Sequence, residues 1–236
     1  RFSILMSKSK SLEFVLPHPL HPKQEKFFLA TLAGKHRIIA FVAGRQSGKS
    51  TCGAIAMMTM VLRNWGMPYA AYIAAAPNYK TMQGGMMQSF MKVAEPLKLG
   101  SYHKQDKEYR FKNGHKIYFR SLDSANACEG IAEVNGIWAD EAGQYPDAGW
   151  IQLQARCSLN QAPMMITTTP YGLGWLYTDV FLPYDRNDEM IIVEGGEETI
   201  YRARDYIYLV QGWSNENPAF RENMALQRRR LGEQEF

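Results

Sequence analysis

The stretch that decides the fold is Ala43-Gly44-Arg45-Gln46-Ser47-Gly48-Lys49-Ser50. It matches the phosphate-binding pattern GxxxxGK[ST], except that alanine replaces the first glycine. In such a loop, consecutive backbone N–H groups and a helix N-terminus form a positive hollow for phosphate oxygens. Gly48 lets the backbone come close, Lys49 meets the β- and γ-phosphates, and the Ser50 hydroxyl coordinates Mg²⁺. The predicted ATP-binding residues of this segment are Gly44, Arg45, Gln46, Ser47, Gly48, Lys49, Ser50 and Thr51.

The segments around this loop supply the strand and helix that a phosphate-binding loop requires. Residues 37–42 are predicted to be a buried strand, and residues 49–63 have helical composition. This context argues against a chance match in a glycine-rich turn. Further strands are predicted at 69–75, 137–139 and 164–168. Helices are predicted at 23–32, 79–94, 149–159, 173–180 and 223–231, and a hairpin turns at Asn113-Gly114. Strands alternating with helices predict an α/β fold with a mostly parallel sheet covered on both faces.

Composition sets only loose bounds on the partners. The chain has 27 Lys and Arg against 23 Asp and Glu, a net charge of +4, which permits a nucleic-acid partner without requiring one. Its cysteines, Cys52, Cys128 and Cys157, are odd in number and far apart, so neither a zinc site nor a disulfide framework is indicated and a reducing, intracellular setting is expected. The apolar stretches are too short to span a bilayer, so no membrane partner is expected.

Two adjacent acids follow the predicted strand at 137–139. A parallel strand delivers Asp140 and Glu141 to the carboxyl edge of the sheet, where ligands bind in open α/β folds. Asp140 would support Mg²⁺ through its water shell, and Glu141 would orient and deprotonate the attacking water. Adjacent acids alone are more often a solvated strand end, but the upstream phosphate-binding loop favours catalysis. Together these features predict a P-loop NTPase with an additional strand and a catalytic glutamate (ASCE type).

Several other residues leave alternatives open. Arg45 either stabilises charge at the γ-phosphate or faces solvent from its loop. Thr167, Thr168 and Thr169 end a strand, where their hydroxyls could sense the γ-phosphate or could simply reflect β propensity. Gln24 could bind the adenine edge or lie exposed on a helix. His18, His21 and the run 228–230 are interpreted as structural or solvated.

An aromatic and basic segment could bind nucleic acid, although an amphipathic hairpin with its apolar side inward is at least as good an interpretation. Its residues are Tyr102, Tyr109, Phe111 and Tyr118, interleaved with Lys104, Lys107, Arg110, Lys112 and Lys116.

The ordered set of motifs resembles the large subunits of tailed-bacteriophage terminases. The resemblance extends over residues 17–231 and rests on their order. The segments that carry it are Leu20-His21-Pro22-Lys23-Gln24, Gly44 to Ser50, Arg120-Ser121-Leu122 leading to Glu129-Gly130, Asp140-Glu141-Ala142, Thr167-Thr168-Thr169-Pro170 with Gly172, and Trp213-Ser214-Asn215 with Asn217-Pro218.

This resemblance implies the ATPase of a motor that pumps double-stranded DNA into a procapsid. It assigns Gln24 to adenine, Arg45 to charge stabilisation, and Thr167–Thr169 to coupling between hydrolysis and movement. It also implies ATP and Mg²⁺ as cofactors, a homo-oligomeric ring, and a portal protein and small terminase subunit as partners in the host cytoplasm at the procapsid. A neighbouring subunit would donate a second arginine, for which Arg120 and Arg156 are weak candidates.

The predicted organisation has three parts. Residues 1–16 form an N-terminal extension with Met6 as the natural start, 17–185 the ATPase core, and 186–236 a small linker subdomain. The family's nuclease would need another domain beyond Phe236, so no nuclease activity is expected here. The rival hypotheses are a helicase-like DNA translocase and a non-hydrolysing ATP-binding assembly module; a small-molecule kinase is disfavoured because no arginine-rich lid is evident.

Overall fold

The computed structural model describes residues 2–7, 10–14, 19–124, 126–158, 160–194 and 197–214. Two antiparallel hairpins stand apart from the main sheet: β1 (Phe2–Ser7) with β2 (Lys10–Phe14), and β10 (Glu189–Glu194) with β11 (Glu197–Arg202). The main sheet contains β3 (Ile38–Ala43), β4 (Ala71–Ala76), β5 (Gly100–His103), β6 (Glu108–Phe111), β7 (Lys116–Ser121), β8 (Ile137–Asp140), β9 (Met164–Thr168) and β12 (Ile207–Gly212).

Helical segments connect most of these strands. They are α1 (Pro22–Ala33), α2 (Lys49–Arg63), α3 (Tyr79–Thr81), α4 (Gln88–Ala94), α5 (Asp147–Cys157), α6 (Leu182–Arg186) and α7 (Ala203–Tyr206), with π-helical turns at Met82–Met87 and Tyr177–Phe181 and 3-10 turns at Glu95–Leu97 and Ala142–Gln144. Among the described residues, no helix is long and apolar enough to cross a bilayer.

The main sheet has the order β12-β3-β9-β8-β4-β7-β6-β5. Its first six strands run parallel, whereas β6 and β5 pair antiparallel at the far edge. Because side chains alternate along a strand, Ile39 and Phe41 of β3 pack into the core beneath α1 and α2, while Ala40 and Val42 pack into a second core with α5. Both faces are therefore covered, and the carboxyl ends of β3, β8 and β9 meet at one edge.

The predicted α/β fold with a mostly parallel sheet is confirmed. Helix α2 and strand β9 have the predicted bounds, and the hairpin turns at Asn113 and Gly114 as expected. The helix predicted at 173–180 lies further on, in the π-helical turns Tyr177–Phe181 and in α6. The helix predicted around 223–231 lies outside the described residues.

Two parts of the chain differ from the expected organisation. The hairpin of β1 and β2 lies in the segment that was predicted to be an N-terminal extension. Strand β12 pairs in parallel with β3, so residues 207–212 are built into the main sheet although 186–236 were predicted to be a linker subdomain. The sequence of a short strand that is apolar in only one half does not reveal which neighbouring strand it will pair with.

Candidate active site

The phosphate-binding loop joins β3 to α2 in a compact turn. Gln46 and Gly48 both adopt the left-handed conformation, with φ of 59° and 79°, and Gly48 is the N-cap of α2. This places the N-terminal amides of a 15-residue helix at the loop, where its dipole favours an anion. The Lys49 ammonium donates a hydrogen bond to the Gly44 carbonyl at 2.9 Å, which holds it within the loop.

The alanine that departs from the motif has a simple explanation. Ala43 is the last residue of β3, is buried, and needs no unusual backbone conformation. Its neighbour Gly44 is the position where a side chain does not fit, since an added Cβ would lie 2.2 Å from the Ser214 hydroxyl oxygen. The loop therefore retains glycine where close contact requires it.

Lys49 is almost fully buried among charges of both signs. Burial lowers its pKa, the carboxylates of Glu141 and Asp140 raise it, and Arg45 lowers it further. Arg45 itself is exposed. The two cations therefore lie close enough to act on one anion, as expected if they share the phosphate chain.

Side chains at the start of helix α1 form hydrogen bonds to the loop. His21 caps this helix, and its Nε2 lies 3.0 Å from the Ser47 carbonyl oxygen. Gln24 donates to the Gly48 carbonyl at 3.0 Å and accepts from the His21 backbone N–H at 3.1 Å. Gln24 thus lies beside the phosphate end of the loop, and its assignment to adenine stays a prediction.

Asp140 ends β8, which pairs with β9, the strand that carries the threonines; β9 in turn separates β8 from β3, the strand that leads into the loop. Its Oδ1 accepts hydrogen bonds from the Ser50 hydroxyl at 3.0 Å and from the Thr167 hydroxyl at 2.6 Å. Burial raises the pKa of Asp140 to about 6; these hydroxyls and Lys49 oppose that rise, and Glu141 adds to it. The charged form of the Asp140 carboxylate is disfavoured in this environment, and a cation would stabilise it.

Glu141 sits at a strained turn. Its φ is 50° and ψ 38°, a left-handed conformation that is unusual for a residue with a Cβ and is typical of functional sites. The Thr169 hydroxyl donates to its Oε2 at 3.0 Å, and the Glu141 N–H donates to the Thr167 carbonyl at 2.6 Å. The turn and these bonds fix the carboxylate beside Asp140.

The three threonines at the end of β9 each contact the acidic segment. Thr167 donates to Asp140, Thr169 donates to Glu141, and Thr168 accepts from the Gly143 N–H at 2.9 Å. The sequence left open whether these residues were plain β-structure. The structure brings them together with both acids, although it does not test a role in coupling.

The residues present suit Mg²⁺ and a triphosphate. Among the described residues, no group of three or more His, Cys, Asp or Glu could hold a metal ion. Ser50 and Asp140 offer the small oxygen set that Mg²⁺ uses when phosphates and water complete its shell. Ser47 adds a buried hydroxyl without a hydrogen-bond partner, as expected in a loop that binds an anion.

The other candidate residues contact other groups. The Arg120 guanidinium stacks over Tyr118 at 5.1 Å and donates to the Phe119 carbonyl, and Arg156 lies on α5. Tyr109 and Phe111 are buried in the core, so the amphipathic-hairpin interpretation is the one that the structure supports.

Sequence reasoning missed several supporting side chains. The Trp138 indole donates to the Thr167 hydroxyl at 2.7 Å, and the Tyr145 hydroxyl donates to the carbonyl oxygens of Ala75 and Asp140. The only available signal was spacing, since Trp138 lies two residues before Asp140 and therefore on the same face of β8. His21 was interpreted as structural, and it supports the loop directly.

A phosphate-binding loop, a Ser–Asp pair suited to Mg²⁺ and an adjacent glutamate lie at one edge of a parallel sheet in which β9 is inserted between β3 and β8. This arrangement defines the class of P-loop NTPases of the ASCE type. The chain belongs to the terminase large subunit N-terminal family, since the family model described as "Terminase large subunit, T4likevirus-type, N-terminal" matches residues 40–205. No curated protein matches the chain.

Solved terminases share the fold. The large terminase of a thermophilic bacteriophage superposes with a TM-score of 0.69 and 14% identity over 88% of this chain and 50% of that one. The same protein in complex with ADP gives 0.66 and 16%, over 87% and 49%. The Thermus phage P74-26 large terminase ATPase domain gives 0.64 and 19%, over 91% and 89%. The chain thus spans about half the length of that full terminase and most of the isolated ATPase domain.

Proposed function

We propose that this chain is the ATPase motor domain of a viral DNA-packaging terminase, coupling ATP hydrolysis to translocation of double-stranded DNA into a procapsid. The observation that carries the proposal is the convergence of Lys49, Ser50, Asp140 and Glu141 at one sheet edge. Family membership and the ADP-bound relative support the choice of nucleotide. The proposed setting is the host cytoplasm, at the procapsid.

The hydrolysis mechanism follows from these positions. The loop amides and Lys49 bind the β- and γ-phosphates, while the Ser50 hydroxyl would coordinate Mg²⁺ and Asp140 would support it through its water shell. The metal, when bound, neutralises charge that develops on the phosphate oxygens. Glu141, oriented by Thr169, accepts the proton of the water that attacks in line. Arg45 adds positive charge at the γ-phosphate.

Coupling would begin at the threonines. Thr167 and Thr169 contact the two acids, so a change at the γ-phosphate alters the contacts at the end of β9 first. Loss of such contacts is a common route from hydrolysis to subdomain motion. We propose duplex DNA, a portal protein and a small terminase subunit as partners, with the active state a ring in which a neighbour donates an arginine.

The test is phosphate release from ATP by the chain, with and without linear duplex DNA. Lys49→Ala and Glu141→Gln are expected to abolish release. Lys35→Ala and Glu133→Gln, exposed residues that precede β3 and β8 and so lie at the opposite sheet edge, are the matched controls and should retain it. ATP binding without any phosphate release by the unchanged chain would favour a non-hydrolysing binding module, and turnover that survives Glu141→Gln would contradict the role of Glu141. Separation of DNA strands would favour a helicase.

A protein-concentration series tests the ring. A rate that rises more steeply than linearly with concentration supports a residue donated between subunits. A strictly linear rise, with full activity in the monomer, contradicts it.

A further inference from the structure

A buried tryptophan stands at the end of a hydrogen-bond chain that reaches the proposed magnesium site. Trp138 lies on β8, fully buried, two residues before Asp140. Its indole N–H donates to the Thr167 Oγ1 at 2.7 Å, and Thr167 Oγ1 lies 2.6 Å from Asp140 Oδ1. The Ser50 hydroxyl reaches the same Oδ1 at 3.0 Å.

The donors and acceptors in this chain can be assigned by chemistry. An indole nitrogen can only donate, so the Thr167 oxygen must accept from Trp138. A hydroxyl has one hydrogen, and with its oxygen already accepting, that hydrogen is directed to Asp140. Oδ1 then accepts from both Thr167 and Ser50, which uses its two lone pairs and leaves Oδ2 outside both bonds.

The indole packs tightly against α2 at Gly53. A Cβ added at Gly53 would lie 2.2 Å from the Trp138 Nε1 and 2.5 Å from its Cε2, so the ring occupies the space of a side chain on α2. Gly53 is three residues after Ser50 on that helix. The indole therefore fixes the distance between the helix that carries Ser50 and the strand that carries Asp140.

We propose that Trp138 is a positioning residue for the magnesium site, acting through the Thr167 hydroxyl to orient the Asp140 carboxylate. This inference rests on the proposed ATPase function and adds a residue to it. Groups that hydrogen-bond metal-ligating carboxylates affect affinity strongly, and their loss costs about 10–100-fold in metal binding. Thr167 bonds the carboxylate directly and the indole acts one hydrogen bond further away. Removing the indole N–H is therefore expected to weaken Mg²⁺ binding by about 10-fold, the lower end of that range.

The experiment measures ADP binding by calorimetry, in EDTA and across a Mg²⁺ series, so that no turnover is needed. Trp138→Phe keeps an aromatic ring and removes the donor. It should bind ADP in EDTA as the unchanged chain does, and require about 10-fold more Mg²⁺ for the tightening of ADP binding. Trp150→Phe is the matched control: it removes another buried indole donor, to Asp179 at 3.1 Å, in the core on the opposite sheet face, and should leave the Mg²⁺ requirement unchanged.

Variants of Thr167 test the same proposal if Trp138→Phe fails to fold. Thr167→Val removes the hydroxyl and keeps the side-chain shape, and should raise the Mg²⁺ requirement by about 10–100-fold, whereas Thr167→Ser should retain Mg²⁺ affinity. In the Thr167→Val background, Trp138→Phe should add no further loss, since residues in one chain are not additive.

An unchanged Mg²⁺ requirement in Trp138→Phe or in Thr167→Val would overturn the proposal, as would an equal loss in Trp150→Phe. Weakened ADP binding in EDTA of the same size would also overturn it, because that result indicates general damage to the loop. A wild-type chain that binds Mg²⁺ and ADP but never hydrolyses ATP would refute the proposed function and leave this inference intact.

Discussion

Replacing Asp140 with asparagine is expected to stabilise the folded chain above pH 6 while removing its capacity for turnover. The carboxyl is 1% exposed, and burial raises its pKa to about 6 from an ordinary value of 3.8. Asparagine has nearly the same shape, and its side-chain oxygen can still accept from Ser50 and Thr167. The substitution therefore removes a buried charge and keeps the hydrogen bonds that surround it.

The sign and size of the effect follow from proton linkage. Between pH 3.8 and about 6 the folded chain holds a proton on Asp140 that the unfolded chain has lost. Stability therefore falls as the pH rises through this window. At 1.36 kcal/mol for each pH unit, ionisation of Asp140 costs about 3 kcal/mol at neutral pH. Asp140→Asn should recover about that amount of unfolding free energy at pH 8, and none at pH 3.5.

The assay is urea unfolding of both proteins from pH 3.5 to pH 8, in EDTA and without nucleotide. The difference in unfolding free energy between Asp140→Asn and the unchanged chain should increase between pH 4 and pH 6 and then remain constant. A difference of the same size at every pH, or a less stable Asp140→Asn at pH 8, would refute the electrostatic reasoning. Glu133→Gln, an exposed acid in the loop before β8, is the control and should show no such window.

Three further predictions concern residues around the site. Gly48→Ala should cost ~1–2 kcal/mol of unfolding free energy in urea titrations and weaken ADP binding, because Gly48 has φ of 79° and an added Cβ would lie 2.3 Å from the Gln24 amide nitrogen. A variant of unchanged stability would contradict this. His21→Ala should cost ~1–2 kcal/mol by the same assay, because it removes both the cap of α1 and the contact with Ser47; ADP binding that stays at full strength would show that the contact does not support the loop. Thr169→Val should lower the rate of phosphate release about 10-fold at unchanged ATP affinity, since it removes a hydrogen bond to the Glu141 carboxylate, and Thr169→Ser should restore it; an equal loss in both variants would argue against that role.

Much of this site could be predicted from the sequence because the deciding groups are local. The phosphate-binding loop, its helix and the Asp140-Glu141 pair can each be recognised from a few consecutive residues. That these groups lie close together follows from the rule that parallel strands present their carboxyl ends at one edge of the sheet. The hydrogen bond from Ser50 to Asp140, 90 positions apart, places both residues together at this edge.

What the sequence could not supply was side-chain geometry between elements. The bond from Trp138 to Thr167 depends on the register of β8 against β9, and the space for the indole depends on Gly53 of α2. The pairing of β12 with β3 depends on which edge was left open once β9 had bound the other side. The left-handed turn at Glu141 has no glycine to signal it.

The most direct test of the central claim is a single-turnover measurement with the enzyme in excess over ATP and Mg²⁺ present, in which ATP binding and phosphate formation are followed separately. Glu141→Gln should bind ATP as tightly as the unchanged chain, and its rate of phosphate formation should fall by about 10²–10⁴-fold, the usual effect of losing a general base. A Glu141→Gln chain that forms phosphate at the unchanged rate would contradict the assignment of the catalytic base, and with it this account of the site.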